Sequence, residues 1–418
     1  MKTYLIEPMD AVIVRDGRPF NNESSLSAST LPFPMPSTTT GAFRTRIGLT
    51  ENKKFDPDFV SFLKSTSVSG PLLVSADESG KFSRYYVAPP ADAVLFDYGS
   101  GDVRSGQDHV NVRPLTPLNV PENVLYDPFR SGSGSENDLT LVGLSKNNSS
   151  LEKPSKKAPF FWKFETFVRW LKDPEEVSSQ SVPVSDIGIT RLSENIRVHV
   201  KIDPETGMSE DSKLFETKGL EFLKTGSGDE LLTNTGRFAL AVFSDYASEK
   251  FDGYSGFGAE RRIVRWSSSE TGPGECPAEI INDIKKSKAC RLILLTPACF
   301  RDGYIPSVSS LEDPGISSEK DSARSPLGIS VIAACVKRPV TVSGWDMEKG
   351  KPKPTRRLAP AGSVYFLKFE NASDNEIEDW IKEIWFSCIS DDIQDKTDGF
   401  GLCAVGTWSG HPESLTEE

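Results

Sequence analysis

The tract DGFGLCAVGTW, residues 398–408, constrains the fold of this chain most tightly. A glycine turn there enters an apolar strand, and the strand follows directly on an amphipathic segment, NEIEDWIKEIWFSCI (375–389). Ile377, Trp380, Ile381, Ile384 and Cys388 fall on one stripe of that segment, the pattern of a helix laid against a core. Upstream, RFALAVFSDY (237–246), CRLILLTP (290–297) and ISVIAACV (329–336) are short apolar runs of buried-strand character. Near the start, Tyr4 to Val14 reads as a strand with a bend or bulge at Pro8. PSTTTGAFRTRIG (36–48) then opens a helix, with Ser and Thr as caps and Phe43 and Ile47 on one face.

Strand, helix, two strands, helix, strand is the ferredoxin-like order. With 418 residues there is room for two such units. The expected fold class is therefore α+β: two ferredoxin-like (RRM-like) domains with loop insertions, over 1–235 and 236–418. The Ser-, Gly- and Asn-rich stretch 130–157 is expected to be a mobile insertion in the first, and 303–326 a linker in the second. A helix is expected over 159–172, with Phe160, Phe164, Phe167, Val168 and Leu171 on its apolar stripe and Pro174 ending it. Trp162 and Trp170 fall outside that stripe, either as an exposed pair marking a partner surface or as the flank of a wider core face. NIRVHVKID (195–203) alternates as a strand, Ile196, Val198, Val200 and Ile202 on one side and Arg197, His199 and Lys201 on the other.

Charge narrows the function. Lys and Arg number 48 and Asp and Glu 60, a net charge of −12, which excludes a protein that coats nucleic acid with its whole surface. The acid is clustered at 205–216, 312–321, 373–395 and the C-terminus, which leaves room for a local basic groove. The six cysteines form no C-x-x-C pair and no zinc spacing with His109, His199 and His411, so they read as buried, reduced thiols. No motif implies a metal or a cofactor: H-E-x-x-H, G-x-S-x-G and the P-loop are all missing. No apolar run approaches the roughly 20 residues of a membrane span, and the expected location is the cytoplasm. His199 reads either as a general base or as an ordinary polar-face residue.

Phosphate-binding signals are better supplied. In IVRDGRPF (13–20), Arg15 and Arg18 flank Asp16 and Gly17, as solvated loop charges or as an anion-binding pair. At 36–48 a helix start with Ser37, Thr38, Thr39 and Thr40 offers N–H groups to an anion, with Arg44 and Arg46 nearby. In GYSGFGAERRIVRW, Gly256 and Gly258 permit close backbone approach, and Arg261 and Arg262 bring charge. The stretch 344–362 carries Lys349, Lys351, Lys353, Arg356 and Arg357 on a proline-spaced arm, either an extended reach along a phosphate chain or a solvated basic loop.

These stretches together resemble the RAMP superfamily of CRISPR effector proteins, and within it the subunit of the type III-B Cmr complex that caps the 5′ end of the guide RNA. MDAVIVRDGRPF, PSTTTGAFRTRIG, RVHVKIDPETGMSEDSKLFET, VSGWDMEKGKPKPTRRLAPAGSVYF and GFGLCAVGTW carry the likeness in order along most of the chain. The resemblance implies a non-catalytic, crRNA-binding role, with contacts to the large polymerase-like subunit and a backbone RAMP subunit, indirect contact with target RNA, and none with membrane. Taken with the phosphate-binding signals, it leads to expected RNA contacts at Arg15, Arg18, the 37–40 helix start, Arg44, Arg46, Arg197, His199, Lys201, the 349–357 arm, and Gly399 and Gly401 of the terminal loop, and the glycine-arginine turn adds Gly256, Gly258, Arg261 and Arg262. RVHVKID has no aromatic residue on its polar face, so backbone and loop contacts are expected rather than base stacking there. Two other readings stand beside it: a metal-independent RAMP endoribonuclease using His199 or His109 to process crRNA precursors, and a protein scaffold held through the helix at 159–172.

Overall fold

A strand with apolar side chains on both sides is stable only when covered on both faces, and several strands here are of that kind. The computed structural model describes residues 1–15, 27–28, 30–51, 56–77, 79–97, 109–119, 139–144, 153–223, 236–248, 250–314, 327–346 and 350–414. Its order is mixed α/β and mostly sheet. The chain makes two compact units: unit one is Met1–Arg84, Arg191–Gly272 and Thr341–Arg357, and unit two is Tyr85–Thr190, Pro273–Val340 and Leu358–Glu418. The boundary expected at 235/236 falls inside the second segment of unit one.

Unit one begins with β1 (Lys2–Pro8), α1 (Pro36–Thr50) and β2 (Ser69–Ala76). The chain then supplies unit two with β3 (His109–Asn119), β4 (Phe161–Lys163) and α2 (Phe164–Lys172). It returns to unit one for β5 (Ser193–Ile202), β6 (Ser209–Glu221), β7 (Phe238–Ser244), β8 (Gly253–Phe257) and β9 (Arg262–Ser269). Unit two gains α3 (Ala278–Ser287), β10 (Ala289–Leu294) and β11 (Ile329–Cys335), and, after the 341–357 excursion, β12 (Val364–Phe369), α4 (Asp374–Ile384) and β13 (Cys403–Thr407).

The main sheet of unit one runs β2-β7-β1-β9-β8, with each of these neighbours antiparallel. Tyr4 and Ile6 of β1 face α1, where Tyr4, Phe43, Phe251 and Trp266 pack ring against ring at centroid separations of 4.4 to 5.5 Å. Alternation sends Leu5 and Glu7 to the opposite face. Pro8, expected as a bend within a longer strand, instead ends β1, because it has no N–H to continue the ladder.

Unit two holds a second antiparallel sheet in the order β11-β12-β10-β13. Its α4 is fixed by a capping box, Ser373 accepting from the Glu376 N–H and the Glu376 carboxylate accepting from the Ser373 N–H. Ile377, Trp380, Ile381 and Ile384 are buried, as the stripe predicts. Unit two also holds a buried ion pair. Arg291 donates to Asp92 at 2.6 Å, to the Thr407 carbonyl at 2.8 Å and to the Trp170 carbonyl at 2.7 Å, while the Trp170 indole N–H donates to the other Asp92 oxygen at 3.0 Å.

Several expectations need correction. Residues 161–163 form a strand, so the helix expected from 159 starts at Phe164. Trp162 and Trp170 are fully buried and meet edge to face at 5.8 Å, which makes them core and not a partner surface. Within the insertion expected at 130–157, Val142–Leu144 pairs with β3; within 303–326, Val308–Glu312 is a helical turn capped by Ser307. The remainder of both stretches lies largely outside the described residues. Among the described cysteines none is bonded to another; Cys290, Cys335, Cys388 and Cys403 are buried, and burial pushes the half-buried Cys276 thiol up to about 12.

Removing one member of a buried ion pair strands the other charge, which costs about 3–5 kcal/mol. Asp92→Ala is expected to lower unfolding free energy by that amount in urea denaturation, and a loss under 1 kcal/mol would show that the pair is dispensable.

Candidate nucleic-acid interface

The segment after β1 threads between two hairpins of unit one. Val12 bridges Leu220 at the end of β6, and Ile13 bridges Ala259 in the turn from β8 to β9. Both crossings need missing side chains. A Cβ on Gly219 would lie 2.9 Å from the Ala11 Cβ, and one on Gly258 would lie 2.6 Å from the Ile13 carbonyl oxygen. Gly258 has φ +66°, and Glu260 and Arg261 follow at +59° and +48°, an arrangement that costs non-glycine residues conformational energy. The turn thereby presents Arg261 to solvent beside the strand that delivers the exposed Arg15.

Asp10 organises the cations here. Its Oδ1 accepts from Arg197 at 2.9 Å and from the Ala11 N–H at 2.8 Å; its Oδ2 accepts from Arg262 at 2.8 Å. Arg262 also reaches Glu260 at 2.6 Å. The Ala11 N–H, helped by the two guanidinium groups, holds the Asp10 carboxyl below its ordinary pKa against the opposing effect of partial burial. Arg197 and Arg262 are thus brought together, but Arg262 is neutralised by two carboxylates, and its work is to hold the turn rather than to meet phosphate.

Two predicted arginines are also occupied. Arg44 donates to the carbonyls of Lys64 and Thr66 at 3.0 Å, and Arg46 donates to those of Phe251, Asp252 and Tyr254 at 2.9, 2.5 and 3.2 Å. They fasten α1 to the end of the Pro57–Ser65 helix and to the start of β8. The N-cap of α1 is Met35, which has no side-chain cap, so Ser37, Thr38, Thr39 and Thr40 lie inside the first turns instead of capping them, and Thr39 and Thr40 are buried. Gly399 and Gly401 are likewise buried in unit two, where the Gly399 N–H donates to Lys396 and the Gly401 N–H to Pro297. Those N–H groups are directed inward and are not offered to a phosphate.

The basic arm folds back on itself, contrary to the extended reading. Trp345–Asp346 pairs with Lys351–Pro352, Gly350 turns the corner at φ +58°, and the Lys353 N–H donates to Gly344. Lys351, Lys353 and Arg357 are exposed and Arg356 is half-buried; residues 341–357 belong to unit one. Arg18 and Lys349 lie outside the described residues.

The β5–β6 ribbon reverses the usual alternation. Arg197 and His199 are half-buried, whereas Ile196, Val198, Val200 and Ile202 are 45 to 63 % exposed, with Leu214 beside Val200. Lys201 is exposed. The His199 ring stacks on Phe215, its cross-strand partner, and its Nε2 lies 2.9 Å from the Thr217 hydroxyl. Phe215 therefore supplies the aromatic ring that RVHVKID alone lacks. The signal for it was DPETG (203–207), a hairpin turn that folds residue 215 onto residue 199. A second missed residue is Tyr254, 62 % exposed and paired across the strands with Arg265. On the sheet face away from α1, Tyr254, Ile263 and Arg265 are exposed next to Glu7, which pairs with Arg237 at 2.6 Å and Arg265 at 3.9 Å.

Among the described residues no group of three His, Cys, Asp or Glu side chains could hold a metal ion, and no helix is long and apolar enough to cross a membrane. Residues 4–408 match the family described as CRISPR-associated protein (Cas_Cmr3). The chain belongs to that family. It is a Cmr3-type RAMP protein of the type III-B CRISPR effectors. No curated protein matches it. Similar solved chains come from the type III-B Cmr-beta complex bound to cognate target RNA, with or without AMPPnP, at 13 % identity, TM-score 0.42 and coverage of 87 % of this chain and 86 % of theirs. A chain of the type III-A Csm3-Csm4 subcomplex matches at 10 % identity and TM-score 0.33, covering 90 % and 94 %.

Two outcomes test this geometry. Gly258→Ala is expected to lose about 1–3 kcal/mol of stability, because the new Cβ must push away Ile13 from a left-handed position; an unchanged melting temperature would refute the close crossing. Asp10 has its folded pKa below the unfolded value, so its contribution is complete above the ordinary carboxylate range and is lost as pH falls through the folded pKa. The stability gap between the native chain and Asp10→Asn should accordingly be widest near neutrality and close below about pH 4; a gap that stays constant down to pH 2 would contradict it.

Proposed function

We propose that this Cmr3-type subunit is non-catalytic, holds the 5′ tag of the crRNA along unit one, and docks the large polymerase-like subunit and a backbone RAMP subunit, meeting target RNA only indirectly. Both main sheets support an RRM-like reading. Taking the strands of each in chain order, β1, β2, β7, β9 and β10, β11, β12, β13, the spatial order is 2-3-1-4 in both, the antiparallel ferredoxin-like arrangement. We read the units as two such domains, the first helix of the second being only a short turn and the strand β8 standing where the first would have its second helix.

One observation carries the RNA assignment: several exposed cations and an exposed aromatic ring belong to the same unit, unit one. Arg15, Lys201, Arg261, Arg265, Lys351, Lys353 and Arg357 are exposed there, and so is Tyr254 on the sheet face away from α1. Single-stranded RNA is held by this combination, phosphates by cations and unstacked bases by rings and apolar side chains. The apolar stripe on the β5–β6 ribbon extends the same surface chemistry, since aliphatic side chains wedge against bases where water would otherwise cover both. The overall charge of −12 is no obstacle, because three of the four acidic runs, 312–321, 373–395 and the C-terminus, belong to unit two, and only 205–216 belongs to unit one.

Sequencing RNA that copurifies from cells carrying a guide locus should return short RNAs sharing one 5′ sequence; random 5′ ends would end the proposal. Arg261→Ala and Arg357→Ala should each weaken binding of that RNA and lower the slope of log K against log salt by about 1. Ile196→Ser combined with Val198→Ser should weaken RNA binding while leaving the melting temperature within 2 °C or so, since exposed substitutions seldom exceed about 0.5 kcal/mol. Repeat RNA incubated with the purified chain should remain intact, and cleavage abolished by His199→Ala would establish the endoribonuclease reading instead.

A further inference from the structure

The strand β8 ends the main sheet of unit one, and its side chains decide what that outer corner can hold. Ser255 accepts from the Trp266 indole on the α1 side, so Tyr254 and Gly256, on either side of it, point the other way. Arg265 and Ile263 of β9 stand directly opposite Tyr254 and Gly256, which puts all four positions on one face. Tyr254, Ile263 and Arg265 are exposed, and so is Met9, whose N–H donates to the Ile263 carbonyl at 3.0 Å.

Gly256 turns this corner into a shelf. A Cβ there would lie 3.0 Å from the Arg261 Cβ, so the left-handed turn lays Arg261 over the place where β8 lacks a side chain. The aromatic ring therefore has one cation across the ladder, Arg265, and another over the next position of its own strand, Arg261. Neither is spent on the protein. Among the described residues Arg261 has no hydrogen bond or ion pair, and Arg265 only approaches Glu7, at 3.9 Å, a carboxylate that Arg237 already engages at 2.6 Å. Arg46 holds the ring's backbone in place through the carbonyls of Phe251, Asp252 and Tyr254. A partner peptide adding itself to this end strand would have to displace that clamp, whereas a base stacking on the ring would not.

We propose that this shelf is a single-nucleotide subsite: one unpaired base stacks on the Tyr254 ring against Ile263 and Met9, while Arg261 and Arg265 hold the phosphates on its two sides. A ring face and aliphatic side chains offer no pattern of donors and acceptors, so the subsite holds a base without selecting which one. This rests on the RNA reading of unit one, and adds to it the place, the occupant and the lack of base choice.

Synthetic single-stranded RNA carrying the copurifying 5′ sequence, titrated against the full chain by fluorescence anisotropy, tests the subsite. Tyr254→Phe should bind within about twofold of the native chain, and Tyr254→Val, which keeps a strand-favouring side chain without a ring, about tenfold more weakly at an unchanged melting temperature. Abasic residues placed at each tag position in turn should reveal one whose lost base costs about tenfold in the native chain and under about twofold in Tyr254→Val. All four bases at that position should bind within about twofold of one another. A readout that needs no variant is 5-iodouridine at each position in turn, which should crosslink to Tyr254 on irradiation from that position alone; it decides the matter if Tyr254→Val melts lower. Undiminished binding by Tyr254→Val, an equal loss in Tyr254→Phe, no coupled position, a marked preference for one base there, or no crosslink would each overturn the subsite while leaving RNA binding by unit one standing. A native chain that binds none of this RNA would overturn both.

Discussion

A buried carboxylate fixes how unit two is put together. Asp92 reaches no water, so its charge must be met inside the protein, and Arg291 and the Trp170 indole meet it. Arg291 in turn spends its other N–H groups on carbonyls of α2 and β13. One ion pair thus ties a loop, two strands and a helix that lie far apart in sequence. Apolar packing would accept several sliding arrangements of α2 over the sheet. A guanidinium with five donors in a rigid fork accepts very few.

Unit one uses the same device at its surface. Asp10 collects Arg197 from one hairpin and Arg262 from another, so the two hairpins are held by a shared counter-ion. The consequence for recognition is indirect. The arginines that touch Asp10 lose part of their charge to it, yet they set where Arg15 and Arg261 emerge. A cationic surface needs such interior bookkeeping, because arginines left to repel one another would not remain side by side.

The sequence made some of this legible and hid the rest for physical reasons. Periodicity located α1, α4 and the buried strands to within a few residues, since a continuous apolar run or a 3.6-residue stripe has few other uses. It also found the alternation of β5. It could not show that the apolar side of β5 faces water, because alternation defines two faces without saying which is covered. Trp162 was misplaced for a related reason: three residues of strand joined to a helix give no break in hydrophobicity. Arg44 and Arg46 looked like anion ligands, and no local pattern announces that carbonyls some 20 and 205 residues away arrive to occupy them. Phe215 and Tyr254 became visible only when hairpins placed them against His199 and Arg265. For the glycines the reverse held: Gly399 and Gly401 suggested an open loop, and their positive φ values serve a buried turn instead.

The interleaving of the two units bears on how the protein is made. The polypeptide passes from one unit to the other five times, and unit one receives its last piece, Thr341–Arg357, only after most of unit two has been translated. Neither half can mature on the ribosome as a finished module while the other waits. The nascent chain must keep early strands such as Lys2–Pro8 from pairing wrongly until late ones arrive, which makes synthesis alongside its assembly partners, or under a chaperone's cover, a natural route to the native state.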